Sequence, residues 1–129
     1  MDTTEIKKLD RMRGHAFLPS EKVMASWPKL YETDGVPIAE KTVYCHWFIG
    51  NCDWYLFEVD PNELLAFGYV NLGDPDMSEM GYFSLVELGT MRAPVRFHVV
   101  ETIKTVGVPV ERELDWEPVK WGDFKRPWE

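Results

Sequence analysis

The stretch that decides the fold runs from Thr42 to Met91 and reads TVYCHWFIGNCDWYLFEVDPNELLAFGYVNLGDPDMSEMGYFSLVELGTM. It is rich in aromatic and β-branched residues, and turn residues interrupt it at short intervals, which is the pattern of consecutive strands. It also carries eight Asp or Glu and no Lys or Arg. We therefore expect a sheet with an anionic surface.

Four strands are predicted within this stretch, separated by short turns. They cover residues 42–49, 52–59, 64–72 and 79–83, with turns at Gly50-Asn51, Asp60-Pro61-Asn62 and Gly73-Asp74-Pro75-Asp76. Connections of this length join neighbouring antiparallel strands, whereas a parallel pair needs a crossover of a dozen or more residues. The sequence therefore predicts an antiparallel meander.

After the meander, a helix and two further strands are predicted. Ser84 and Glu87 have the spacing of a capping box, which predicts a helix over residues 85–91. Residues 95–103 and 109–118 have the composition of a fifth and a sixth strand.

Length and composition indicate one domain of the α+β class. A chain of 129 residues with 45% hydrophobic content can bury a core of its own. We predict a mainly antiparallel meander sheet of four to six strands with a few short helices, one of them starting at Ser20. The expected parts are an N-terminal arm or helix (1–17), the α+β core (18–118) and a C-terminal tail (119–129) whose aromatics pack back onto the domain.

The formal charge of −8 disfavours direct nucleic-acid binding, which needs clustered Lys and Arg. A basic partner, a metal ion or solubility alone explains this balance better. No apolar run reaches the length of a membrane span, and the first residues lack the apolar core of a signal peptide, so a cytoplasmic location is expected.

The hairpin register also bears on the two cysteines. With Gly50-Asn51 as the turn, Cys45 lies opposite Leu56, and the two sulfurs of Cys45 and Cys52 stand roughly 13 Å apart along the sheet. We expect both thiols to be reduced.

One face of the predicted hairpin is apolar except at its last position, Glu58. The face comprises Val43, Cys45, Trp47, Ile49, Cys52, Trp54, Leu56 and Glu58, since side chains alternate along a strand. An ionised carboxylate is costly to bury alone, so Glu58 must reach the rim, find donors or a cation, or keep its proton. Because residues 42–91 contain no Lys or Arg, we expect Arg112 to pair with Glu58 or Glu79.

His46 lies on the opposite, aromatic face, directly across from Tyr55. A hydrogen-bonded sheet histidine is the simpler interpretation, because no second histidine lies within strand reach. In the alternative, Glu58, Asp60 and Glu79 bind Mg²⁺ or Mn²⁺. His46 would then assist a hydrolase or nuclease reaction. No other cofactor is predicted, and the strong phosphate-binding, dinucleotide-binding and zinc motifs are absent from the sequence.

Two further surfaces are predicted from residue patterns. A strand over 109–118 would place four carboxylates on one side at about 6.7 Å spacing, namely Glu111, Glu113, Asp115 and Glu117. Such a row could imitate a nucleic-acid backbone, although a solvated outer face explains it too. A small-ligand pocket is the other alternative, lined by Trp54, Tyr69 and Tyr82 with Arg112 as an anion anchor.

Four blocks of sequence resemble, in the same order, the domain of unknown function 2958 family. They are LPSEKVMASWPKLYETDG (18–35), DWYLFEVDPNELLAFGYV (53–70), SEMGYFSLVELGTMRAP (78–94) and GVPVERELDWEP (107–118). Residues 95–106 read as an insertion relative to the family pattern. The resemblance implies a bacterial or phage origin and residence on a mobile element, and it implies no activity.

Together these observations favour a non-catalytic function. We expect a small acidic accessory protein of a mobile element that binds another macromolecule. A host-defence inhibitor and a nucleic-acid charge mimic are two versions of this hypothesis. The expected partner is a protein, such as a basic nucleic-acid-binding protein.

Overall fold

The structure, a computed structural model, describes residues 2–99 and 102–129. The helices are α1 (Thr4–Arg13), α2 (Glu21–Ala25) and α3 (Leu85–Thr90). The strands are β1 (Thr42–Val43), β2 (Cys45–Ile49), β3 (Cys52–Asp60), β4 (Leu65–Leu72), β5 (Glu79–Ser84), β6 (Arg92–Val99), β7 (Thr102–Pro109), β8 (Glu111–Arg112) and β9 (Val119–Lys120). Short 3₁₀ turns cover Ile38–Glu40, Pro75–Met77 and Trp121–Asp123.

A five-stranded antiparallel sheet in the order β5-β4-β3-β2-β8 forms the centre of the fold. Gly50, with φ of 54°, supplies the left-handed conformation in the turn between β2 and β3. The hairpin register is the predicted one, because Ile49 lies opposite Cys52 and His46 lies opposite Tyr55. The α+β class with its antiparallel meander is therefore confirmed.

The first predicted strand changes partners at Tyr44. β1 leaves the central sheet and pairs with β9 of the C-terminal tail, while the N–H of Tyr44 donates to the carbonyl of Leu56 at 2.9 Å. A single strand over 42–49 is therefore wrong. The alternation of apolar residues continues through Tyr44 and does not reveal that the neighbouring strand changes.

A β-bulge at Phe57 reverses the predicted facing of Glu58. Leu56 pairs with Gly68, but the next pair is Glu58 with Phe67, so β3 contains one extra residue. Glu58 therefore faces the same side as Phe67 and the opposite side from Leu56. The prediction that Glu58 closes the apolar face is wrong, because it assumed strict alternation, which a bulge interrupts.

The helices cover one face of the central sheet and complete its core. We call this core the first cluster: Ile6, Phe17, Met24, Trp27, Cys45, Trp47, Trp54, Leu56, Val59, Leu64, Ala66, Leu85, Leu88 and Val110. Buried Arg13 of α1 ties the layer together, because its guanidinium donates to the carbonyls of Val110 at 2.6 Å and Gly89 at 2.9 Å. One half of the predicted capping box of α3 forms among the described residues, with the N–H of Glu87 donating to Ser84 Oγ at 3.1 Å.

The other face carries an aromatic core that the C-terminal tail completes. We call it the second cluster: Val43, Tyr55, Phe57 and Trp121, with Ile38, Phe67, Tyr69, Trp116, Phe124 and Trp128 packed against them. Tyr55 lies at its centre, and its ring is stacked on His46 at a centroid distance of 4.4 Å. The expected packing of the tail aromatics onto the domain is observed.

The two strands predicted after α3 differ from expectation. β6 and β7 pair with each other in a separate two-stranded sheet, with Val99 opposite Thr102, where one strand over 95–103 was predicted. Residues 100 and 101 of that prediction lie outside the described residues. The predicted strand over 109–118 is reduced to β8, because the chain turns directly after Arg112.

Both cysteines are free, as the register predicted. Burial raises the pKa of the Cys45 thiol to about 12. Among the described helices, none has the length and apolar character that crossing a membrane requires.

Candidate functional site

Glu58 is the most deeply buried acidic side chain of the described residues, at 2% exposure, and it holds the loop that precedes the sheet. The N–H of Tyr31 donates to Oε1 at 2.8 Å and the N–H of Thr33 to Oε2 at 3.1 Å. The hydroxyl of Thr33 also donates to Oε2. Buried Lys41 then donates from Nζ to the carbonyl of Thr33 at 2.7 Å and to its hydroxyl oxygen at 2.9 Å. Of the three outcomes expected for Glu58, the structure shows the second, in which hydrogen-bond donors surround the buried carboxylate.

The pairing of Arg112 with Glu58 or Glu79 is wrong. Arg112 lies on β8, and its Nε donates to the carbonyl of Ala16 at 3.1 Å. The strand order places β8 and β5 at opposite edges of the sheet, so Arg112 is remote from Glu79. The cation nearest to the Glu58 network is Lys41, which directly precedes the base-free stretch.

The Glu58 network presents Tyr31 at the surface. Tyr31 has a φ of 73°, a conformation that costs a non-glycine residue energy and persists only when its surroundings hold it. Tyr31 is 64% exposed, and its ring lies 6.5 Å from the ring of Tyr82 on β5. The Tyr31 side chain, as a hydrogen-bond partner, raises the pKa of Tyr82, and the charges of Glu58 and Asp34 act in the same direction.

Tyr82 belongs to an exposed apolar surface along the outer edge of β5. We call it the β5 edge surface: Tyr31, Leu72, Met77, Met80 and Tyr82, all of them exposed. All of these side chains except Tyr31 line a groove of about 290 Å³, to which Asp74 and Glu79 contribute carboxylates. Among the described residues, no basic side chain lines this groove. Contiguous exposed apolar area with a polar rim is typical of interaction sites.

His46 lies between two carboxylates. Its Nε2 is 2.7 Å from Asp53 Oδ1 and its Nδ1 is 2.9 Å from Glu113 Oε1. Asp53 also accepts a hydrogen bond from the amide of Asn71 at 3.3 Å, and the N–H of Glu113 donates to the carbonyl of His46 at 2.9 Å. Asp53 and Glu113 thus contact the imidazole ring of His46 at both of its nitrogens.

This arrangement ties elements together and leaves no ring nitrogen of His46 free for a substrate. A cavity of about 550 Å³ lies beside it, and Phe48 and Trp128 contribute to its walls. A general base must reach the proton that it removes, and here both nitrogens already contact carboxylates of the chain itself. His46 thus fits the simpler interpretation, a hydrogen-bonded sheet histidine that joins β2, β3 and the segment after β8.

The predicted row of carboxylates does not form. Glu111 lies on β8, but the strand ends at Arg112, and Glu113 turns inward to His46. The N–H of Trp116 then donates to the carbonyl of Glu113 at 3.4 Å, so residues 113–116 form a turn. Glu111, Glu113, Asp115 and Glu117 therefore do not share a strand face, and the geometric basis of the charge-mimic hypothesis is wrong.

The carboxylates of the proposed metal site do not converge. Glu58 is held by the 31–33 loop, and Asp60 caps its own turn by accepting from the N–H groups of Asn62 and Glu63 at 3.0 and 3.2 Å. Glu79 is exposed at the sheet edge. Within the part of the chain that the structure describes, no three His, Cys, Asp or Glu side chains are placed to hold a metal.

The predicted ligand pocket is also not assembled. Trp54 packs in the first cluster, whereas Tyr69 packs against the second. Trp54 pairs with Val70 and Tyr69 pairs with Tyr55, and these two adjacent pairs lie on opposite faces of the sheet. The hydroxyl of Tyr69 lies 2.9 Å from Ser78 Oγ. Of the predicted pocket residues, only Tyr82 belongs to the β5 edge surface.

Sequence reasoning missed most of the β5 edge surface. Met80 and Tyr82 alternate with Glu79 and Gly81, and the strand contains no Lys or Pro, the residues that commonly protect edges. That pattern was a usable signal for an open edge. Tyr31 had no such signal, because its position depends on a carboxylate 27 residues away.

Comparison with known proteins identifies a family and no function. A family model described as a protein of unknown function (DUF2958) matches residues 21–119. No curated protein and no solved structure matches the chain. The match begins at the first residue of α2, after α1, and ends at the first residue of β9.

Proposed function

The chain belongs to the DUF2958 family, and on that premise we propose that it is a non-catalytic binding protein whose interface is the β5 edge surface. The observation that carries the proposal is the joining of exposed apolar side chains and carboxylates in one groove. Burial of the apolar side chains against a partner supplies free energy of association. The carboxylates favour a partner of positive charge.

The architecture around this surface supports a binding role. The buried carboxylate of Glu58 fixes the loop that carries Tyr31. This contact pre-organises the exposed ring of Tyr31 next to Tyr82. Aromatic side chains held in one conformation lose little entropy on binding, and they are enriched at interfaces.

The net charge of −8 suggests the class of partner. We propose a basic protein, such as one that handles nucleic acid, and we place the encounter in the cytoplasm. An accessory role for a mobile element, against host defence or in DNA upkeep, is the version that fits the mobile-element origin implied by the family resemblance.

The test is capture of a partner from the native host with matched variants. Tagged wild-type protein, Met80→Lys and Met12→Lys are used as baits, and Met12 serves as the control because it is another exposed methionine, on α1. The captured protein is then purified and its Kd is measured for each bait. We expect Met80→Lys to weaken binding at least about tenfold, because Lys adds like charge and removes buried area.

Added salt should weaken the wild-type complex as well, since charge attraction is screened. Equal Kd values for wild type and Met80→Lys would show that the β5 edge surface is not the interface. A turnover of the captured partner that depends on this chain would contradict the non-catalytic role.

A further inference from the structure

The outer side of β5 is an unpaired strand edge. β5 pairs with β4 on one side, and within the described residues no backbone group of Glu79–Ser84 bonds to another strand on the other side. In an antiparallel strand alternate residues direct both their N–H and C=O groups to the same side. About three residues of β5 therefore offer free backbone groups outward.

The opposite edge of the sheet does not offer this opportunity. β8 consists of Glu111 and Arg112 alone, and the chain turns away directly afterwards. A very short edge strand is one of the ways in which proteins prevent unwanted pairing. β5, by contrast, has six residues and contains no Pro and no Lys, so its edge lacks the protection that the short β8 gives to the other edge.

The side chains beside the open edge define what an added strand would meet. Met80 and Tyr82 face the same side as Tyr69 and Phe67, whereas Glu79 and Gly81 face the other side. Residues of an added strand alternate in the same way and lie next to these positions. One side of the added strand would meet an aromatic and thioether surface, and the other side would meet Glu79 with Asp74 nearby in the groove.

We propose that β5 receives an extended segment of the partner protein as a sixth strand of the central sheet, and that this segment carries Lys or Arg at alternate positions. The inference rests on the proposed function and names the mode of binding at the same surface. Backbone hydrogen bonds to the free edge hold the segment. Glu79 and Asp74 select the positive side chains on one side of the added strand, and the residues between them pack against Met80 and Tyr82 on the other side.

The test uses three synthetic eight-residue peptides with the full chain. The first alternates Lys with Val, the second replaces every Lys by Gln, and the third is the first with N-methyl groups on alternate backbone nitrogens. Amide chemical shifts and hydrogen exchange of the chain are followed by NMR up to millimolar peptide. We expect shifts and slowed exchange over Glu79–Ser84 with the Lys peptide, binding at least about fivefold weaker with the Gln peptide, and loss of the effect on N-methylation.

The possible outcomes separate the two proposals. If methylated and unmethylated peptides perturb β5 equally, strand addition is overturned while the surface stands as an interface. Equal binding of the Lys and Gln peptides would overturn the preference for basic segments. If no β5 amide responds to any peptide, strand addition fails, and the Met80→Lys capture experiment decides the proposed function by itself.

A second copy of this chain is the other molecule that could pair with the open edge. Sedimentation at increasing protein concentration would detect a dimer, and a dimer that Met80→Lys removes would show that a second copy, not a basic segment, fills the edge. We expect the wild-type chain to sediment as a monomer, because two acidic edges repel each other.

Discussion

The carboxylate of Glu58 accepts a 2.8 Å hydrogen bond from the backbone N–H of Tyr31, and this contact joins the buried sheet to the exposed surface. The bulge at Phe57 directs Glu58 toward the loop. The loop in turn places Tyr31 beside Tyr82 at the free edge. A buried charge and a surface aromatic are therefore parts of one structural unit.

Replacing Glu58 by Gln should destabilise the protein and release the loop. The NH₂ group that replaces one carboxylate oxygen cannot accept a hydrogen bond, so at least one donor on Tyr31 or Thr33 loses its partner. We expect the free energy of unfolding in urea to fall by about 2–3 kcal/mol. Amide exchange at Tyr31 and Thr33 should accelerate before global unfolding.

The matched control for this variant is Glu79→Gln, which removes the same charge from an exposed position of the sheet. Its unfolding free energy should stay within about 0.5 kcal/mol of wild type. A comparable loss in both variants would assign the effect to net charge and contradict the role of the Glu58 hydrogen bonds.

The two carboxylates that hold His46 should differ in their contribution to stability. The side chain of Asp53 is 11% exposed, whereas that of Glu113 is 42% exposed. Solvent screens the Glu113 contact, so Glu113→Gln should cost less than about 1 kcal/mol of unfolding free energy. Asp53→Asn should cost about 2–3 kcal/mol, because the buried partners of Asp53 lose a charged acceptor.

A double-mutant cycle with His46→Phe measures whether these losses depend on the imidazole. We expect most of the Asp53→Asn loss to disappear when His46 is absent. Additive losses would mean that Asp53 acts through Asn71 and not through His46.

The local order of the fold could be predicted from sequence, and the long-range contacts could not. The Gly50-Asn51 turn and the short connections fixed the register that places His46 opposite Tyr55. The facing of Glu58 could not be predicted, because a bulge adds one residue without changing the composition of the strand. The alternation of carboxylates after Val110 predicted a strand, but the strand ends before Glu113. Glu113 instead contacts His46, which lies 67 residues earlier, and no local sequence pattern predicts a contact at that separation.

Replacing Tyr55 by Phe should stabilise the protein. The Tyr55 hydroxyl is buried in the second cluster and has no hydrogen-bond partner among the described residues. An unsatisfied buried hydroxyl costs free energy, so its removal with the ring retained should raise the unfolding free energy by about 1 kcal/mol. Tyr69→Phe is the control, because the Tyr69 hydroxyl contacts Ser78 Oγ and its removal should destabilise. A loss of stability in Tyr55→Phe would reveal a partner for that hydroxyl.

Stability should fall in alkaline solution because of Cys45 and Tyr55. Burial raises the pKa of the Cys45 thiol from 9.0 to about 12, and burial also raises the pKa of Tyr55. The folded state therefore keeps protons that the unfolded state releases. The Cys45 contribution is complete below pH 9, its unfolded value, and is lost as pH rises toward about 12, whereas the Tyr55 contribution is lost only above pH 10, its own unfolded value. The loss is at most about 1.4 kcal/mol per pH unit for each group.

Urea unfolding at several values between pH 8 and about pH 11 measures this slope. Cys45→Ala should reduce it by the share of one proton, since only Tyr55 then contributes from the core. An unchanged slope in Cys45→Ala would place the proton release elsewhere in the chain.

Gly68 is the residue of β4 whose replacement should be least tolerated. A Cβ built at this position would lie 1.7 Å from the carbonyl oxygen of Tyr55, directly before the bulge, and a backbone atom in the centre of a sheet cannot move aside. Gly68→Ala should therefore lower the unfolding free energy by more than about 3 kcal/mol. At its cross-strand neighbour Gly81, no atom of the described residues beyond the adjoining ones lies within 4 Å of the same point, so Gly81→Ala should change stability by less than about 0.5 kcal/mol. The pair separates a steric cause from the general cost of removing glycine from a strand, since both positions lie in the same row of the sheet. If Gly68→Ala folds with wild-type stability, β3 and β4 can move apart there, and the fixed position of Glu58 one pair further along would lose its basis.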